Sequence, residues 1–176
     1  MANFRRLLVA LVSAFSLLGA TGVSVAASEG NKLIEFDSMT GVSAAVALAQ
    51  KANDRGMLPG GAPWVISSGV GSVDRHGNVS VRVTGLIIPT LTPPRNPIPA
   101  FSVTVSCITS HHRVANLTKG TFPTNPAGDA TINTRVVLPH PCKDPEVFVG
   151  LTRANGAFVW FAMSNSEEQE QEQEQD

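Results

Sequence analysis

From residue 32 onward, hydrophobic side chains return at every second position more often than at every third or fourth, the mark of strands with one buried face. Lys32-Leu33-Ile34-Glu35-Phe36 reads as a short first strand. The clearest alternation puts Val79, Val81 and Val83 on one face and Ser80, Arg82 and Thr84 on the other. With a preceding strand that starts at Trp64-Val65-Ile66 and runs to Asp74, it predicts a hairpin. The turn is Arg75-His76-Gly77-Asn78, where Gly77 is free to take positive φ. Further along, Phe101, Val103, Val105 and Cys107 alternate inward, with Ser102, Thr104 and Ser106 outward. A weaker strand falls around residues 113–118, and Ala130, Ile132, Thr134, Val136 and Leu138 make another alternating run. The last two strands, residues 147–152 and 157–163, flank Arg153-Ala154-Asn155-Gly156, and Asn-Gly between apolar runs predicts a hairpin. Residues 157–163 are apolar on both faces, which suits a covered or central strand better than an edge.

The segments between these runs are rich in turn formers. Residues 54–63 are dense in Gly and Pro and predict a structured loop; residues 89–99 hold five prolines and lack ladder donors. Residues 41–52 are Ala-rich and fit either a helical turn or a loose strand. Seven or eight short strands with no long helix predict an all-β fold. The expected form is an antiparallel β-sandwich, immunoglobulin-like or similar, with a barrel as the competitor.

The first 27 residues break the pattern. Arg5 and Arg6, an apolar stretch over residues 7–18 and the small-residue exit Val25-Ala26-Ala27 predict a cleavable export signal. The apolar stretch is shorter than the roughly 20 residues a permanent span needs. The expected mature protein is therefore secreted, without a stable membrane span. Residues 28–166 are then the sandwich domain, and residues 167–176 are an acidic Glu/Gln tail expected to be disordered.

Composition narrows the class further. With 43% hydrophobic and 15% charged residues, 15 Gly and 12 Pro, the chain is neither a coiled coil nor collagen. The formal net charge of −1 conceals an asymmetry, because six acids crowd the last ten residues and leave residues 28–166 at +3. That charge is spread too thinly to predict nucleic-acid binding.

Candidate chemistry is sparse. Cys107 and Cys142 are the only two cysteines, and in an oxidising compartment they predict one disulfide. His111, His112 and His140 are the sharpest metal candidates, since that bridge would bring their flanks together, and a metal-dependent hydrolase is the third functional expectation. No H-x-H, HExxH or G-x-S-x-G spacing supports catalysis, so neither enzyme activity nor a cofactor is expected. Asp37, Asp54, Asp74, Asp129 and Asp144 lie mostly beside Gly, Pro or Ser, where short carboxylates bond turn backbones. Trp64, next to the Gly61-Ala62-Pro63 run, is the one ring expected to be open to a ligand, whereas Trp160 reads as core. Asn78-Val79-Ser80 and Asn116-Leu117-Thr118 match glycosylation acceptors.

Three segments are similar to a family of small secreted bacterial proteins. Arg55-Gly56-Met57-Leu58-Pro59-Gly60-Gly61-Ala62-Pro63-Trp64-Val65-Ile66 resembles that family's RG-x-x-GG-x-PW-x-I segment. Asn96-Pro97-Ile98-Pro99-Ala100-Phe101 leads to Val105-Ser106-Cys107, and Leu138-Pro139-His140-Pro141-Cys142 leads to Val147-Phe148-Val149. The resemblance spans about residues 36–162 and implies one compact secreted domain with paired cysteines and no activity to carry over. Family members have Gly-Leu before Pro-Trp where this chain has Gly61-Ala62, and the His111-His112 pair and the Glu/Gln tail are particular to it. The combined expectation is a monomeric, non-catalytic structural or binding protein with an extracellular or cell-surface partner. The alternative is a carbohydrate- or ligand-binding module using the Gly61-Ala62-Pro63-Trp64 loop.

Overall fold

A computed structural model describes residues 31–165. The predicted signal and the predicted acidic tail lie outside the described residues. The elements, in order, are β1 (Lys32–Phe36), β2 (Met39–Gly41), α1 (Ala44–Ala49), β3 (Leu58–Pro59) and β4 (Ser68–Asp74). They continue with β5 (Asn78–Thr84), β6 (Ala100–Ile108), β7 (Val114–Pro123), β8 (Ala130–Arg135), β9 (Lys143–Thr152) and β10 (Phe158–Ser164). Two sheets form, a four-stranded one ordered β1-β4-β5-β8 and a six-stranded one ordered β2-β10-β9-β6-β7, with β3 also on β10. All pairings are antiparallel except β3 with β10. The all-β sandwich is what the period-two pattern demanded: each sheet has one apolar face, and each face needs the other.

The core lies between the valine faces. Val79, Val81 and Val83 of β5 look across at Val103 and Val105 of β6 and Val147 and Val149 of β9, all of them buried. The β4–β5 and β9–β10 hairpins turn where glycine was expected, with Gly77 at φ 82° and Gly156 at φ 82°. β10 is flanked by β9 on one side and by β2 and β3 on the other, matching its two-sided apolar sequence. Cys107 is bonded to Cys142 across 35 residues, with Cα atoms 5.0 Å apart.

Several boundaries differ from the sequence pattern. The strand expected from Trp64 starts at Ser68, because Trp64 is drawn away to the six-stranded sheet and Val65 only bridges to Ile87. The run through Leu138 leaves the ladder after Arg135, when the Val136 N–H turns to the Gly77 carbonyl. The weak segment near residues 113–118 becomes a ten-residue strand, β7. The Ala-rich segment is a six-residue helix whose N-cap, Ser43, accepts from the Val46 N–H. The two strands beyond the expected number, β2 and β3, have three and two residues and exist only as partners of β10.

Ser102, Thr104 and Ser106 point away from the valine core as expected, but they are buried. Register places Ser102 beside Gly150, Thr104 beside Phe148 and Ser106 beside Glu146, so this outward face also carries Phe148 and, through Gly150, Trp160. Phe148 and Trp160 meet edge to face at 6.2 Å and are buried as well. The chain leaves β10 after β2 and returns to it at β3, and the strap in between, residues 43–57, is tied through Arg55 to the Glu146 and Asn116 end of this face. Arg55, on the strap, reaches β9 and β7.

Candidate functional site

The glycine- and tryptophan-containing loop is packed into the body. Trp64 is 4% exposed and stacks on Phe161 with ring centroids 4.0 Å apart, so the expectation of an open ligand platform is not met. The Trp64 N–H donates to the Val42 carbonyl, and the Gly60 N–H donates to the Trp160 carbonyl at 2.7 Å, which pins the loop to the β10 edge. A Cβ on Gly60 would meet Phe161 Cδ1 at 2.7 Å and Trp64 Nε1 at 2.8 Å, whereas one on Gly61 would meet nothing within 4 Å. The first glycine serves packing, and the second has no such duty.

Arg55, from the same segment, sits at the centre of a charged cluster. Its side chain is 1% exposed. Nη2 donates to Asp144 Oδ2 at 2.6 Å, to the Asp144 carbonyl at 3.0 Å and to Glu146 Oε1 at 2.8 Å, and Asp54 Oδ2 lies 3.7 Å from Nε. A tight turn presents it: Asn53 Oδ1 accepts from the Arg55 and Met57 N–H groups, and Gly56 takes φ 73°. Asn116 Nδ2 on β7 donates to the Arg55 carbonyl at 2.9 Å. Asn116, Ser106 and Glu146 are cross-strand neighbours, one row over β7, β6 and β9 beneath the strap. Burial pushes the Glu146 carboxyl above the usual glutamate range; the Arg55 hydrogen bond and charge pull it back only in part, and Asp54 and Asp144 add to the rise. For Arg55, burial opposes the charge, but Glu146, Asp144 and Asp54 outweigh it and hold the guanidinium above its ordinary value.

The outer face of the four-stranded sheet carries mostly polar side chains. Register aligns Glu35, Ser72, Ser80 and Asn133 in one row across β1, β4, β5 and β8, with Val70, Arg82 and Thr131 in a neighbouring row. A groove of about 570 Å³ opens on this face, lined by Glu35, Ser72, Ser80 and Arg82 together with the apolar Phe36 and Val70. Alternation along β4 and β5 carried the signal for this face, but not the fact that its rows would line up.

The other candidates disperse. His111 and His112 occupy the exposed β6–β7 turn, and His140 is exposed in the connection before β9. Among the described residues, no group of three or more His, Cys, Asp and Glu side chains is placed to hold a metal ion. Asp74 accepts from the His76 and Asn78 N–H groups and from Asn78 Nδ2, and Asp129 from the Gly85 N–H and Asn125 Nδ2. The Asn78 side-chain bond, then the Asn78 and His76 N–H groups, hold Asp74 below the usual aspartate range. The Asn125 side chain and the Gly85 N–H do the same for Asp129. Both acids act as turn clamps, as their neighbours in sequence suggested. The acceptor amides of Asn78 and Asn116 are engaged by Asp74 and Arg55. Sequence reasoning passed over the pairing of Arg55 with Glu146, since nothing local marks either side chain for burial. Among the described residues, no helix is long and apolar enough to cross a membrane. Comparison with family models, curated proteins and solved structures finds no match to this chain.

Proposed function

We propose that this is a secreted, non-catalytic binding protein that works as a monomer outside the cell and holds a hydroxyl-rich ligand, such as extracellular carbohydrate, on the outer face of its four-stranded sheet. The observation that carries this reading is the groove, in which carboxylate, hydroxyl and guanidinium groups line up across the strands, neighbours within a row standing about 4.8 Å apart. Such rows offer both donors and acceptors to a polymer of sugars. The resemblance to small secreted bacterial proteins supports the extracellular setting, as does the disulfide. The Arg55 and Gly60–Trp64 features that carry the resemblance have packing and ion-pair roles, which favours a structural meaning for that segment over a catalytic one.

Both tryptophans are buried away from the groove, so backbone amide shifts are the suitable readout. Titrating labelled protein with a panel of neutral and acidic oligosaccharides should move the Ser72, Ser80, Arg82 and Asn133 amides for at least one class. Arg82→Ala should weaken that response. A panel that moves no amide on this face, or only amides elsewhere, defeats the proposal.

A further inference from the structure

The strap is held to the sheets through few polar contacts. Among the described residues, every hydrogen bond between residues 43–56 and the two sheets passes through Arg55: its Nη2 to Asp144 and Glu146, and its carbonyl from Asn116. The ionic balance there is uneven. One guanidinium faces three carboxylates, Asp54 and Asp144 with more than 70% of each side chain exposed and Glu146 with 17%. Asp144 Oδ2 and Glu146 Oε1 share a single nitrogen, so two negative charges crowd one donor. The remaining carboxylate oxygen, Glu146 Oε2, is buried and receives no donor from the protein, although Ser106 Oγ and Arg55 Nε and Nη1 are buried without a hydrogen-bond partner as well. Asp144 remains an ion-pair partner of Arg55 when Glu146 is uncharged. A second, buried carboxylate then adds repulsion and an unmet solvation demand, both of which fall away when it is protonated.

We propose that Glu146 is a proton-operated pin: taking up a proton there tightens residues 43–57 against the outward face of the six-stranded sheet, and losing it loosens them. The charged groups acting on Glu146 are Arg55 and Asp54 from the strap and Asp144 from its own strand. The other two strands in the row, β6 and β7, contribute the neutral Ser106 and Asn116. The direction follows from linkage. A carboxyl that holds its proton more tightly with the strap closed than with it open favours the closed form while protonated. That contribution is fully present below the ordinary glutamate range and is lost as pH climbs through the raised value in the closed form. Arg55 keeps its charge throughout. Loosening would uncover the Asn116, Ser106 and Glu146 row on which Arg55 lies.

The test is hydrogen exchange of the full chain at pH 5 and pH 8, corrected for intrinsic rates, with peptides from residues 43–57 compared with peptides from β6. Strap protection should be about threefold or more higher at pH 5, with β6 unchanged. Glu146→Gln, which removes the charge, should hold strap protection at the higher level and make it independent of pH. The Glu146 carboxyl carbon, followed by NMR, should titrate above the ordinary glutamate value, and Asp144→Asn should lower that midpoint. Strap protection equal or greater at pH 8, a pH response that survives in Glu146→Gln, or an ordinary or lowered Glu146 midpoint would each overturn the proposal. Should Glu146→Gln not fold, the exchange and titration of the unaltered protein decide the matter.

Discussion

Replacing Gly60 with alanine should destabilise the protein, while the same change at Gly61 leaves it unharmed. Neither glycine lies at positive φ, so backbone strain does not enter, and the contrast rests on space alone. At Gly60 a methyl group would come within 3.0 Å of Phe161 Cδ1, Phe161 Cε1 and Trp64 Nε1. Those rings are stacked at 4.0 Å, are 3% and 4% exposed, and have nowhere to retreat. The glycine backbone cannot easily give way either, since its N–H is bonded to the Trp160 carbonyl at 2.7 Å. Overpacking a tight core costs about 1–3 kcal/mol, and loss of glycine's freedom in the unfolded chain returns about 0.4–1. The net expectation for Gly60→Ala is about 1–2 kcal/mol of destabilisation, a sizeable share of a typical domain's 5–15 or so. At Gly61 only the entropic term remains, so Gly61→Ala should be neutral or stabilising by up to about 1 kcal/mol. Urea denaturation followed by tryptophan emission reads both, with an unchanged slope confirming that compactness is the same. Equal destabilisation by the two substitutions, or none at Gly60, would refute the packing argument.

Other outcomes follow from the same geometry. Replacing Cys107 and Cys142 together with alanine should cost about 3–4 kcal/mol by chain entropy for a loop of 35 residues, measured by urea midpoint; a loss under about 1 kcal/mol would mean the unfolded chain is already constrained. Arg55→Ala strands one well-buried carboxylate, Glu146, so the expected loss is near the low end of about 3–5 kcal/mol at neutral pH and smaller as pH falls and Glu146 takes up its proton. A larger loss in acid would contradict that assignment. Asp74 and Asp129 have lowered pKa values, so their clamps are intact above the ordinary aspartate range and fail as pH falls through their depressed values. Exchange at the His76, Asn78 and Gly85 amides should therefore rise in strong acid, and Asp74→Asn should remove the pH response at the first two.

Much of the architecture was legible from local pattern. Strict alternation identified β5 and β6, Asn155-Gly156 located the last turn, and Gly77 located the β4–β5 turn. Two cysteines in an export-type sequence predicted their own bond. Strand ends were less legible: Trp64 looked like the start of β4 and is held by Phe161 and Val42 on the other sheet. The Ala-rich segment left its conformation open because six residues are too few for propensity to decide, and the Ser43 cap with a single buried contact, Ala47, made it helical.

The candidate sites divide along the same line. Alternation tells which side chains share a face of a strand, and so it determined the two valine faces, the polar rows of the small sheet and the clamping aspartates beside their own turns. It carries no information about what will be laid over a polar face. The burial of Ser102, Thr104 and Ser106, the enclosure of Trp64 and the charged cluster under the strap were decided only when distant segments met. Arg55 finds its acids 89 and 91 residues away. Burying a guanidinium is costly unless carboxylates stand against it; Asp144 and Glu146 meet Arg55 Nη2, and their placement there is a property of the assembled sheets.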